Sequence, residues 1–213
     1  LRSLISQKTD NSNRCYRRKI VITESVFSMD GDIAPLTDII DLVEKYDAFL
    51  VVDDAHATGV LGKTGRGSFE HFGINNSSHI QMGTYSKALG SFGAYIAGNK
   101  TVKDYLINKA RSFIYTTSLP PSVVAASIAA ISILQENNML VEKVRENTTM
   151  FREGLRALGY NTMNSETPII PVLIGDIEKT IHFSQRLFDE GIYATPIRPP
   201  AVPRTGRAQA STK

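Results

Sequence analysis

The sequence predicts an α/β fold: a mainly parallel central sheet flanked by helices, followed by a smaller C-terminal α/β unit. Three observations carry this reading. Two β-branched runs, residues 19–24 and 48–53, bracket a stretch whose apolar residues recur at helical spacing. That strand–helix–strand order with short connections marks a βαβ crossover and hence a parallel sheet. A long helical stretch near residues 122–158 follows, and beyond it strand and helix patterns alternate again on a smaller scale.

Taken in order, the run Ile20-Val21-Ile22-Thr23 is a short buried strand. Asp30-Gly31-Asp32 turns the chain, and Pro35 suits a helix's first turn. Leu36, Ile39, Ile40, Leu42, Val43 and Tyr46 give that helix its apolar face. Residues 48–53 form a second strand, 79–82 a third and 94–97 another. Residues 101–112 are expected to be helical. Pro120-Pro121 opens a longer helix through Val123, Ala126, Ile128, Ile131 and Leu134, Asn137-Asn138 interrupts it, and residues 139–158 resume it with Gly159 as C-cap. The smaller unit reads as strand 169–174, helix 181–189 and strand 192–195. Residues 208–213 lack apolar periodicity and read as a frayed tail. Residues 1–135 are assigned to a large domain and 136–213 to a small one.

Composition narrows the function classes. A hydrophobic fraction of 42% is ordinary for a packed globular protein. The net charge of +3, from 24 basic and 21 acidic residues, is too small to imply nucleic acid. The densest basic cluster, Arg14, Arg17, Arg18 and Lys19, reads as a solvated strand edge. A single cysteine, Cys15, leaves no internal disulfide and fits a reducing cytosol. No apolar run is long enough to cross a membrane, so no membrane partner is expected, and the expected location is cytoplasmic.

One segment imitates a nucleotide site. Ala57-Thr58-Gly59-Val60-Leu61-Gly62-Lys63-Thr64 fits a loose phosphate-binding loop, and the acidic strand end before it suits a P-loop-type nucleotidase. Three objections weigh against that alternative. A phosphate loop leads directly into a helix, whereas Gly65 and Gly67 follow here at once. The magnesium aspartate belongs on another strand, yet Asp53 lies on the strand just before this loop. The stricter pattern wants glycine where Ala57 stands. The segment reads better as a glycine-rich turn near an active site.

Lys87 lies in Met82-Gly83-Thr84-Tyr85-Ser86-Lys87-Ala88-Leu89-Gly90, among small and hydroxyl-bearing residues bracketed by glycines. Such neighbours suit a lysine that meets a phosphorylated cofactor at close range and forms a Schiff base with it. Pyridoxal phosphate needs that amine, a carboxylate beside its pyridine nitrogen, and donors for its phosphate and ring oxygen. Asp53 stands at a strand's C-terminal end, where a parallel sheet presents ligand groups. It is preferred to Asp54, whose side chain points the other way if the strand continues. His56, just past the strand end, can reach the same cofactor face. Thr84 offers a hydroxyl for a phosphate oxygen, with Ser86 as the alternative; either could instead cap a turn.

Three motifs together resemble the α-oxoamine synthase family of fold-type I pyridoxal-phosphate enzymes: Thr23-Glu24-Ser25-Val26-Phe27-Ser28-Met29-Asp30-Gly31-Asp32, Asp53-Asp54-Ala55-His56-Ala57-Thr58-Gly59, and Gly83-Thr84-Tyr85-Ser86-Lys87-Ala88-Leu89-Gly90. They stand in the family's order, and the likeness runs from about Arg17 to Pro203. The resemblance implies a pyridoxal 5'-phosphate cofactor and a homodimer. It makes Lys87 and His56 the catalytic pair, with Lys87 as the Schiff-base lysine. Asp53 becomes the partner of the pyridine nitrogen and His56 that of the ring's phenolic oxygen. Ser28 lies near that same oxygen, and Thr84 contacts the phosphate. Thr117, in Tyr115-Thr116-Thr117-Ser118-Leu119-Pro120-Pro121, reaches the cofactor phosphate of the neighbouring subunit. The implied reaction joins an amino acid to an acyl-CoA or acyl-ACP with loss of carbon dioxide. Residues 89–95 and 115–121 are most similar to the member that uses L-alanine and a pimeloyl thioester. The member that uses glycine and an acetyl thioester is the nearest competitor.

The chain is also expected to be a piece of such a protein. It starts at Leu1, without the family's N-terminal segment that stacks on the ring. After Pro199-Pro200-Ala201-Val202-Pro203, the family's arginine-bearing strand is replaced by Arg204-Thr205-Gly206-Arg207-Ala208-Gln209, which lacks an apolar pattern. The substrate-carboxylate role is therefore not carried to Arg207. An incomplete, inactive chain that keeps the fold's central part is a third reading.

Overall fold

The computed structural model describes residues 2–5, 17–75, 78–203 and 208–212. Arg14, Cys15, Arg204 and Arg207 lie outside the described residues. Two compact units are present: Leu1–Ser25 with Ala34–Asn138, and Val26–Ile33 with Met139–Lys213.

The first unit runs α1 (Arg2–Ile5), β1 (Ile20–Glu24), α2 (Leu36–Lys45), β2 (Phe49–Asp53), α3 (Ser68–Phe72), β3 (Ile80–Thr84), β4 (Ala94–Ala97), α4 (Lys100–Lys109), α5 (Arg111–Ile114) and α6 (Pro121–Glu136). Its sheet has the order β1-β2-β3-β4. The first three strands are parallel and β4 is antiparallel to β3. The loop of residues 85–93 between β3 and β4 is too short for the crossover that a parallel strand needs. Leu36 and Val43 of α2 close over Leu50 and Val52 of β2, all four fully buried, and Ile5 and Ala34 complete this core. The helix expected over residues 101–112 is two helices, because Ala110 turns extended (φ −76°, ψ 102°) and ends α4. Asn99 starts α4 by accepting the Val102 N–H at 2.9 Å.

The second unit contains α7 (Met139–Ala157), β5 (Ile170–Gly175), α8 (Ile177–Asp189), β6 (Thr195–Ile197) and β7 (Ala208–Thr212). Its sheet has the order β5-β7-β6, antiparallel throughout. Three expectations are corrected here. The tail is a strand: β7 lies between β5 and β6, because backbone pairing on both sides needs no apolar alternation along the inserted segment. The strand expected over 192–195 starts later, because the Ile192 N–H is bound to Leu187 O (2.8 Å) as part of the α8 terminus. Helix α8 starts earlier than residue 181, because Asp176 caps it by accepting the Lys179 N–H at 2.8 Å.

Val26–Ile33, assigned with the large domain from sequence, clusters with the second unit. The Thr167 hydroxyl (2.9 Å) and the Glu166 N–H (3.2 Å) both donate to Gly31 O. Gly31 sits at φ +71°, where any Cβ would overlap Ile169 O, so only glycine allows this approach.

Candidate active site

The parallel strands fix the positions of two candidate residues. Asp53 is the last residue of β2 and Thr84 the last of β3. Asp53 pairs in register with Met82, two residues before Thr84. Register partners share a sheet face and so do residues two apart, which puts Asp53 and Thr84 on one face at the carboxyl end of the strands. The opposite face carries Leu50 and Val52 into the α2 core.

Asp53 and Asp54 differ sharply in their partners. Asp54 is fully buried. It accepts the Ser68 N–H (2.8 Å), the Ser68 hydroxyl (2.5 Å) and the Gln81 amide. Its own carbonyl accepts from Ala57 N–H, Thr58 N–H and the Thr58 hydroxyl. It is a structural hub, with both carboxylate oxygens bonded to the protein. Asp53 is half-buried, and its Oδ1 accepts one bond, from the Ala55 N–H at 2.9 Å. Its Oδ2 accepts none among the described residues. Thr84 Oγ1 is buried and without a hydrogen-bond partner among the described residues. A buried hydroxyl of this kind is costly unless something else satisfies it.

His56 follows in the turn of residues 55–60 and is partly buried. Lys87 is exposed, in the loop that leaves Thr84. That loop is tied by Gly90 N–H to Lys87 O (3.0 Å), Ser91 N–H to Tyr85 O (2.8 Å) and Tyr85 N–H to Gly93 O (2.9 Å). The Ser91 hydroxyl docks it on α6, donating to Val123 O (3.1 Å) and lying 2.8 Å from Ser127 Oγ. The turn carrying His56 meets the Lys87 loop at Gly59, where a Cβ would stand 2.7 Å from the Ala88 methyl.

Thr117 lies in the exposed segment between α5 and α6. Leu119 of that segment approaches the Lys87 loop, its Cδ1 2.8 Å from where a Gly93 Cβ would stand. Ser28 belongs to the second unit, in the turn closed by Gly31 N–H to Phe27 O at 2.8 Å. Ser86 is exposed beside Lys87.

The nucleotide-like segment does not form a phosphate loop. Residues 57–65 are turns and bends, and α3 begins only at Ser68. The donors that would face an anion are taken by Glu70, which accepts from Thr64 N–H (3.0 Å), the Thr64 hydroxyl (2.8 Å) and Arg66 N–H (3.1 Å). Burial acts to raise the Glu70 pKa, but these bonds and the Arg66 charge outweigh it and hold the carboxyl below its ordinary range. Sequence reading missed this role of Glu70. It also missed the 2.9 Å bond between Thr58 Oγ1 and the Tyr95 hydroxyl, whose pKa burial raises. A cavity of about 350 Å³ bordered by Thr58, Tyr85, Leu89, Tyr95, Ile131 and Leu134 lies nearby, but Asp53, His56, Thr84 and Lys87 do not line it.

The whole chain, residues 1–213, matches the family described as Aminotransferase class I and II. An 8-amino-7-oxononanoate synthase of Citrifermentans bemidjiense is 54% identical over 188 residues, covering 87% of this chain and 48% of the relative. The chain thus spans about half the length of the curated relatives it matches. Among solved structures, serine palmitoyltransferase of Sphingomonas wittichii is 34% identical with a TM-score of 0.86, over 91% of this chain and 49% of that one. A structure of SPT with PLP internal aldimine overlays equally, at TM-score 0.86, 34% identity and the same coverage.

Proposed function

The chain belongs to the aminotransferase class I and II family and has the fold-type I architecture, and on that premise we propose that it carries the central part of a pyridoxal-phosphate-dependent acyltransferase site. The reaction proposed is that of an 8-amino-7-oxononanoate synthase: L-alanine condenses with pimeloyl-CoA or pimeloyl-ACP, as a step of biotin biosynthesis. One C–C bond forms between the amino acid's α-carbon and the thioester carbonyl. The thiol of coenzyme A or carrier protein leaves, and so does the amino acid's carboxyl group, as carbon dioxide. The names of the relatives support this choice of substrates.

The carrying observation is the open Asp53 carboxylate beside the orphaned Thr84 hydroxyl, on one sheet face just ahead of Lys87. This donor set fits the cofactor, which when bound supplies a protonated ring able to hold the electron pair of a carbanion. Asp53 provides the anion that keeps the ring nitrogen protonated. Thr84 donates its hydroxyl to a phosphate oxygen, and His56 holds the ring oxygen. Lys87 would supply the attaching amine and would stand as the base for the α-proton. On the family resemblance alone, Ser28 is assigned to the ring oxygen and Thr117 to the phosphate of a second subunit in a cytoplasmic homodimer. The two compact units are parts of the large and small domains of such an enzyme. The substrates are an amino acid and an acyl thioester, with no nucleic acid or membrane involved.

The test is direct. Pyridoxal phosphate added to the chain should give a visible absorbance, and borohydride should fix its mass on Lys87. No such adduct in a folded chain would sink the assignment. Loaded protein should release thiol with L-alanine and pimeloyl-CoA and not with glycine and acetyl-CoA; the reverse preference selects a glycine C-acetyltransferase. Loading without any release selects the inactive piece.

A further inference from the structure

Among the described residues the side-chain hydrogen bonds of Glu70 go to Thr64 and Arg66 and none to Lys87 or the other proposed cofactor residues, yet Glu70 straps the loop against which the Lys87 segment rests. Its carboxylate joins Thr64 and Arg66 through three donors, at 2.8, 3.0 and 3.1 Å. It also fills the space over Gly62, where a Cβ would overlap it. Two backbone bonds close the same loop, Gly59 N–H to Gly65 O (2.8 Å) and Gly67 N–H to Leu61 O (3.0 Å). The strapped loop presents Gly59, at φ +78°, to the methyl of Ala88, the neighbour of Lys87.

We propose that Glu70 is a positioning residue for Lys87: by binding Thr64 and Arg66 it fixes the loop that carries Gly59, and through the Gly59–Ala88 contact it sets where the Lys87 loop lies. This rests on the assignment of Lys87 as the cofactor-attaching residue. A carboxylate suits the task because both of its oxygens accept and its charge strengthens each bond; an amide of equal size keeps one acceptor and no charge. The same bonds hold its carboxyl below the ordinary range, in line with this role.

The test compares the full chain with Glu70→Gln and Thr64→Ala by two readouts. Amide exchange at Gly90 and Ser91, whose N–H groups close the Lys87 loop, is read without cofactor. The rate of borohydride-trapped pyridoxal phosphate accumulation on Lys87 is read with it. Exchange at Gly90 and Ser91 should rise about tenfold or more in Glu70→Gln, while Leu50 and Val52 in the core keep their protection. Trapping should slow in parallel, and Thr64→Ala should shift both readouts the same way by less. Unchanged Gly90 and Ser91 exchange with wild-type trapping, in a variant whose core stays protected, overturns the proposal. If Glu70→Gln loses core protection, the milder Thr64→Ala decides by the same criterion. If the wild type traps no cofactor, the assignment of Lys87 fails, and the exchange result still decides whether Glu70 sets the loop.

Discussion

The two faces of the four-stranded sheet solve different problems with the same strands. On one face Leu50 and Val52 are fully buried under α2, and nearby Asp54 has its oxygens filled by Ser68 and Gln81. On the other, Ile20 (61%), Ile22 (73%), Phe49 (48%) and Ile96 (49%) are exposed, and Asp53 and Thr84 keep unused hydrogen-bonding capacity. Parallel sheets are ordinarily covered on both faces. Adjacent aspartates, Asp53 and Asp54, therefore belong to opposite economies: one is saturated by the protein, the other held ready for something outside it. The saturated carboxylate supports the fold, and the open one is the candidate for chemistry.

The strongest way to break this contrast is to exchange the fates of the two aspartates. Asp54→Ala strands the Ser68 N–H and hydroxyl in a buried site and takes one acceptor from the Gln81 amide, and should cost roughly 3–5 kcal/mol. Asp53→Asn removes only a half-buried charge; it should change stability by about 0.5 kcal/mol or less. If the proposed reaction holds, its effect should appear instead in turnover, with a loss of about 100-fold or more from weakened charge stabilisation. Urea unfolding and turnover of the loaded protein read the two sides. If Asp54→Ala unfolds no more easily than Asp53→Asn, the assignment of roles to the two faces is wrong.

Much of this contrast was legible in the residues. The Ile20-Val21-Ile22 and Leu50-Val51-Val52 runs, the helical stripe of Leu36 and Val43 and the glycine-bracketed Lys87 each carry their own local signal. The alternation of side chains separates Asp53 from Asp54 in the sequence, and their hydrogen bonds differ as well. What stayed hidden was long-range or backbone-driven. The β7 strand is placed by pairing with β5 and β6, which its own composition does not announce. Glu70 bonds backbone N–H groups at Thr64 and Arg66, and no residue type marks such donors in a sequence. Val26–Ile33 joins the second unit through Gly31 O and Thr167, partners far apart in the chain.

A smaller effect is expected where the two faces' supports meet, at Gly59. An added methyl there faces two penalties: φ of +78°, which L side chains rarely adopt, and the Ala88 methyl 2.7 Å away. Gly59→Ala should cost about 1–3 kcal/mol by strain and overpacking. It should also shift the Lys87 loop, raising amide exchange at Gly90 and Ser91. Gly73 is the control: its φ is also positive (+66°) but its surroundings are open, so Gly73→Ala should carry the backbone penalty alone. Equal costs at the two sites would mean that the Ala88 contact contributes nothing.

The smallest effect separates the faces by pH. His79 is 4% exposed, and its Nε2 lies 3.9 Å from Glu44 Oε1 without a hydrogen bond. Burial lowers its pKa, and the Glu44 charge only partly opposes this. The unfolded chain therefore takes up the proton first as pH falls below the ordinary histidine value of 6.5. Stability from this group is complete above 6.5, declines as pH falls toward the depressed folded value, and levels off below it. The wild type should resist unfolding less as pH falls through this window, and His79→Gln should flatten the slope. Glu44→Gln removes the opposing charge, lowers the folded pKa further and should steepen the decline. The proposed cofactor attachment at Lys87 should follow a pH profile that His79→Gln leaves in place, since the imidazole sits on the covered side; a profile that moves with His79 would tie the two regions together.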